Sequence, residues 1–150
     1  MRIKSLIGGL ALMFLASPVF ADLEPWTDYE VSDAVWLVTT VKVDANMGDA
    51  YLEGIKQTWA ASNEVAKELG QIEEYSIFRS DLENSGSFNL LLVIKFANTA
   101  DLAPNKERYE AFIEAWGQAN ADASTDYAQK NYPGMRELTG EYMMREITLK

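Results

Sequence analysis

Phe88-Asn89-Leu90-Leu91-Leu92-Val93-Ile94-Lys95-Phe96-Ala97 is the stretch on which the reading of the fold turns. Phe88, Leu90, Leu92, Ile94 and Phe96 alternate with Asn89, Leu91, Val93 and Lys95. A period of two belongs to a β-strand, and a face without a polar side chain belongs against a core. The reverse face mixes polar ends with an apolar centre at Leu91 and Val93. That is too apolar for an ordinary solvated surface and marks an interface or a ligand groove.

Upstream, Glu83-Asn84-Ser85-Gly86-Ser87 carries turn chemistry. Before it, Ile72–Ser80 sets Tyr75, Ile77 and Arg79 against Ser76 and Phe78, so the two runs form an antiparallel hairpin. Between Met47 and Leu69, Tyr51, Ile55, Trp59, Ser62, Ala66 and Leu69 recur at helical steps. Asn46 is the expected N-cap of this helix and Gly70 its C-terminal stop. Val35–Val43 precedes it as a β-branched strand with Trp36, Val38, Thr40 and Lys42 on one face. Asp22–Asp33 reads as a polar lead-in. Downstream, Pro104 suits the first turn of a second helix, with Tyr109, Phe112, Ile113 and Trp116 on one face through Ala121. Asp122–Lys130 then reads as a polar connection, Asn131-Tyr132-Pro133-Gly134 as a turn, and Tyr142–Leu149 as a closing strand.

Strand, helix, strand, strand, helix, strand is the ferredoxin-like βαββαβ order. It implies an α+β fold with a four-stranded antiparallel sheet and both helices on one face. In element order and lengths, the long first helix, the strong third strand and the final strand, the sequence resembles the dimeric α/β-barrel superfamily. That resemblance implies a homodimer in which two ferredoxin-like domains pack sheet to sheet. The superfamily includes cofactor-independent monooxygenases, haem-degrading enzymes, lactone isomerases, haem peroxidases and small stress-responsive proteins. Activities that depend on a histidine do not carry over, because this chain has none. No catalytic motif is shared residue by residue.

The first 21 residues read as a secretory signal peptide. Arg2 and Lys4 form the basic end, Leu6–Ala16 is apolar, Pro18 breaks the helix, and Val19-Phe20-Ala21 is the cleavage site. The apolar run is shorter than the roughly 20 residues a spanning helix needs. Cleavage after Ala21 is expected to leave residues 22–150 as a single domain without a stable membrane anchor, periplasmic or secreted. Two of the 13 basic residues lie in this leader, so the rest carries 11 against 23 acids, a net charge of −12. Such a surface repels nucleic acid and anionic lipid. With no cysteine the chain cannot form disulfides, thiolate nucleophiles or iron–sulfur clusters, and with no histidine it lacks a Ser–His–acid triad and haem ligation by histidine. The acidic clusters lack the spacing of a calcium loop, so neither metal nor cofactor is expected.

Two sets of side chains are candidates for binding. Trp36, Thr40, Lys42, Asn89 and Lys95 share the mixed strand faces and suit a pocket between two sheets, mostly apolar with a few aimed polar groups. Lysines near strand ends also reach solvent along apolar surface, which is the plainer account of Lys42 and Lys95. Arg79 and Arg145, on the second and last strands, can clamp a carboxylate or pair with neighbouring glutamates. Three functions stay open: an exported protein binding a small apolar or aromatic molecule between its sheets, a cofactor-independent monooxygenase or isomerase, and a structural or regulatory dimer without a ligand.

Overall fold

The computed structural model of the chain describes residues 22–82 and 85–150. The signal peptide, and Glu83 and Asn84 of the expected hairpin turn, lie outside the described residues. The elements in chain order are β1 (Tyr29–Val31), β2 (Val35–Val43), α1 (Gly48–Ile55), a π-helical stretch (Lys56–Ala60), α2 (Ala61–Glu68), β3 (Glu74–Arg79), β4 (Leu90–Phe96), α3 (Lys106–Trp116), α4 (Gln118–Asn131), β5 (Arg136–Met144) and β6 (Ile147–Leu149). The main sheet has the order β3-β4-β2-β5 with every pair antiparallel. This is the ferredoxin-like arrangement that the element order implies.

Register assigns the faces. Val41 pairs with Leu90 and Thr39 with Leu92, and Ile77 of β3 stands opposite Leu92. These side chains turn toward the helices, where Val41, Leu90 and Leu92 join Tyr51, Ile55 and Tyr132 in the buried core. Ile55, 1% exposed, contributes about 1.5–3 kcal/mol by its burial alone. The helical stripe read from sequence therefore meets the apolar face of the strongest strand.

The helical run from Gly48 to Glu68 is continuous but widened at Lys56–Ala60, where Thr58 is buried. Thr58 Oγ1 donates to the Gly54 carbonyl at 3.0 Å and lies 2.5 Å from the Tyr132 hydroxyl. Since the threonine proton is spent on Gly54, the tyrosine hydroxyl is the donor in the second bond. The helix ends as expected at Gly70, φ +66°, with Gly70 N donating to Lys67 O and Gln71 N to Ala66 O. Those two bonds are a Schellman cap. The start differs: Met47 holds the N-cap position without a side-chain cap, and Asn46 adopts φ +66° in the preceding turn. An asparagine tolerates that left-handed backbone, and here it serves the turn instead of the helix.

Three further expectations change. The polar stretch after Ala121 is helical, because Gly117 at φ +87° breaks the chain between α3 and α4 and α4 then runs to Asn131. Its Tyr127 and Ala128 pack on the core, although the helix has too few apolar residues to announce itself by period. Pro104 lies outside α3, whose N-cap is Asn105, with Oδ1 accepting from Arg108 N at 3.0 Å. Tyr109, expected on the apolar face of this helix, is 63% exposed.

The last strand begins earlier than expected and is interrupted. β5 starts at Arg136 and ends at Met144, and β6 then pairs with β1, inside the supposed lead-in, as a separate two-stranded ribbon. Arg145 sits at the break, its Nη1 donating to the Ser32 and Asp33 carbonyls at 2.8 Å each. In the β2–β5 pairing the register slips between Thr40 and Val41 of β2, leaving Thr139 of β5 as the extra residue of a bulge. Among the described residues no helix is long and apolar enough to cross a membrane.

Candidate functional site

The sheet presents its second face without helices. Trp36, Val38 and Thr40 of β2, Leu91, Val93 and Lys95 of β4, and Phe78 of β3 fall on it by register, with Tyr142 and Met144 from β5. Its flanks are the most open: Phe78, Tyr142 and Met144 are each more than half exposed. Val93 is already buried among its neighbours. The β-branched and aromatic residues that make these strands pair well are also what makes this face apolar.

The polar candidates of this face are engaged within the chain. Lys95 Nζ lies 2.9 Å from Glu73 Oε2 and 5.4 Å from the centre of the Trp36 ring. The hydrogen bond to Glu73, and then its charge, hold the lysine pKa above 10.5. Thr40 is 5% exposed, its hydroxyl 2.8 Å from that of Thr139 and 3.2 Å from the Gly140 carbonyl. Asn89, just before β4, accepts from Val43 N at 2.7 Å and donates to Val43 O at 2.8 Å, completing the ladder where regular pairing stops. Arg145 is committed to the break between β5 and β6 and meets neither Arg79 nor this face.

Lys42, Arg79 and Asn89 come together elsewhere, at one end of the sheet. There the β2–α1 turn, the start of α1, and Ser80, Leu82 and Ser85 of the β3–β4 connection border an open cavity of about 430 Å³. Val43, Leu52, Leu82 and Leu90 give it apolar walls, and Asp44 and Asp49 also line it. Lys42 Nζ donates to the Gly86 carbonyl at 2.8 Å. Arg79 lies 4.0 Å from Asp49, a fully exposed carboxylate. A volume of this size is in the range of small-molecule sites. By sequence Lys42 and Arg79 fall in separate sets, and the cavity has no local signature, because Leu52 and Leu82 join it only through the folding of the chain.

A third cluster, absent from the sequence reading, is part of the core. The Tyr51 and Tyr132 rings meet edge-on at 5.2 Å and Tyr127 meets Tyr132 at 5.7 Å. The Arg136 guanidinium lies over Tyr132 at 5.2 Å and Tyr51 at 5.9 Å. Burial raises the pKa of both Tyr51 and Tyr132 above 10.0, against the lowering influence of Arg136. Arg136 Nε is buried without a hydrogen-bond partner among the described residues, so the cation is held by ring faces. No group of three or more Asp and Glu among the described residues is arranged to hold a metal ion.

No family model and no curated protein matches the chain. Among solved structures it is similar to HapK from Hahella chejuensis, at 14% identity and a TM-score of 0.46 over 75% of this chain and 91% of that one. It is similar to a NIPSNAP-like domain protein from Burkholderia xenovorans, at 15% identity and 0.44, over 79% and 85%. A dimeric protein of ferredoxin-like fold from Bacteroides fragilis is similar at 11% identity and 0.44, over 78% and 98%. These likenesses concern fold alone.

Proposed function

We propose that the chain is an exported protein that works as a homodimer, sheet face against sheet face, and holds a small apolar or aromatic molecule between the two sheets. The observation that carries this reading is the helix-free face, on which Phe78, Tyr142 and Met144 are open around Trp36, Val38, Leu91 and Val93. An apolar patch of this kind is unusual on a chain that acts alone, and a second copy offers it a self-complementary partner about a two-fold axis. The ligand class follows from what the face leaves unspent. Thr40 and Lys95 have partners already, so a guest between the sheets meets ring faces and aliphatic carbon. The basic, apolar, proline-broken leader supports export.

Internal satisfaction of the same polar groups also favours a second reading, a dimer with no ligand. Native mass spectrometry of the protein purified after export from a bacterial host separates the two. A dimer carrying extra mass supports the proposal and yields the ligand for identification. A clean dimer leaves the structural reading, and a monomer at micromolar concentration removes both.

A further inference from the structure

Five of the eleven cations among the described residues are tied to a carboxylate at short range. Lys95, Lys106, Arg108, Lys130 and Lys150 each lie within 3.4 Å of one. The two cations that line the cavity at the sheet end are held differently. Lys42 bonds a carbonyl, which leaves its charge uncompensated at contact distance among the described residues. Arg79 makes no hydrogen bond among the described residues, and its nearest carboxylate, Asp49, is fully exposed at 4.0 Å. Such a pair is solvent-screened and weak, so the guanidinium fork can turn to another acceptor. Of the cavity's other polar side chains, Asn89 bonds Val43, Ser80 the Leu82 amide and Ser85 the Leu82 carbonyl, while Asp44, Asn46 and Asp49 complete the lining. Two cations without a close ionic partner therefore share one lining with Leu52 and Leu82.

We propose that this cavity binds a small organic carboxylate, its head group on Arg79 with the Lys42 charge in the same lining, and its apolar body over Leu52 and Leu82. The chemistry follows from the lining. A planar guanidinium takes a carboxylate through two parallel hydrogen bonds. A purely inorganic anion leaves the leucine wall unused, and a neutral hydrocarbon leaves the fork unpaired. Asp44 and Asp49 in the same lining set the limit on charge, because they repel a ligand carrying several negative groups. Arg79, Leu52 and Leu82 belong to the end of the sheet and not to the helix-free face, so the proposal stands or falls independently of the dimer.

The test is two-dimensional amide NMR of the full-length chain, purified in whichever processed form it yields, titrated with sodium benzoate, sodium octanoate and sodium phosphate. The organic acids are expected to shift the amides of Ala45, Gly48 and Ser85 saturably, and phosphate to bind at least about tenfold more weakly, the value of one lost apolar or polar anchor. Arg79→Gln should weaken benzoate about tenfold or more, while Arg79→Lys, which keeps charge without the fork, recovers part. Leu82→Ser, at a residue 73% exposed in the free protein, should weaken octanoate more than phosphate. Four outcomes overturn the proposal: no saturable shift with either organic acid, unchanged affinity in Arg79→Gln, phosphate binding as well as benzoate, or shifts centred on Val38 and Leu91.

Discussion

Replacing Phe78 by serine tests the sheet face most directly. Phe78 stands on β3 at the edge of the helix-free face and is 56% exposed. An aromatic side chain presents about 150–250 Å², so roughly 110 Å² remains open in each copy. At about 25 cal/mol per Å², covering it is worth about 2.8 kcal/mol per copy. A two-fold interface contains the residue twice, which doubles the figure to about 5–6 kcal/mol. An edge position is seldom covered completely, and half of that area gives about 3 kcal/mol, or roughly a hundredfold in the dimer dissociation constant. Within one subunit the change removes little, because an exposed substitution away from a special backbone costs about 0.5 kcal/mol. Sedimentation velocity over a concentration series reads the first quantity, and urea unfolding of the monomer the second. A Phe78→Ser protein that dimerises as tightly as the parent would show that copies do not meet through this face. Loss of the fold itself would show that Phe78 belongs to the core and that the register reading is at fault.

Two further outcomes follow from the helix-side core. A Cβ at Gly54 would stand 2.8 Å from Tyr127 and 3.1 Å from Tyr132, so Gly54→Ala sets an overpacking cost of about 1–3 kcal/mol against a helix-propensity gain of about 1. We expect a net loss of about 1 kcal/mol, a melting point lower by about 4 °C, and calorimetry showing no loss would refute the packing argument. Alkaline stability should fall for a related reason: burial lifts the Tyr51 and Tyr132 pKa values above 10.0, so the unfolded chain releases these protons first as pH rises through 10.0. Folding then loses stability from that pH upward, and Lys95, raised above 10.5 by Glu73, acts in the same direction. A urea midpoint unchanged between about pH 9 and pH 11 would count against burial of these hydroxyls.

The core strands and the first helix were legible because each obeys a single local period. Leu90 and Leu92 are buried, as the alternation requires, and Tyr51 and Ile55 meet them from the helical stripe, whereas Phe88 lies before the strand and is 38% exposed. α4 was not legible, since its place on the core rests on Tyr127 and Ala128 within an otherwise polar run. The β1–β6 ribbon escaped for another reason. Three-residue strands carry no period, and each exists only because its partner lies more than a hundred residues away.

The candidate site divides along the same line. Residue type and alternation were enough to place Trp36, Thr40 and Lys95 on one strand face, since side-chain direction in a strand depends only on counting. They also determined the absence of thiol and imidazole chemistry. Hydrogen-bond partners were beyond them. That Asn89 bonds Val43, that Arg145 holds a chain break, and that Lys42 and Arg79 line one cavity with Leu52 depend on which distant segments the topology makes neighbours. Local sequence sets which way a side chain points; only the tertiary structure decides what it meets there, because those partners are distant in the chain and adjacent only after folding.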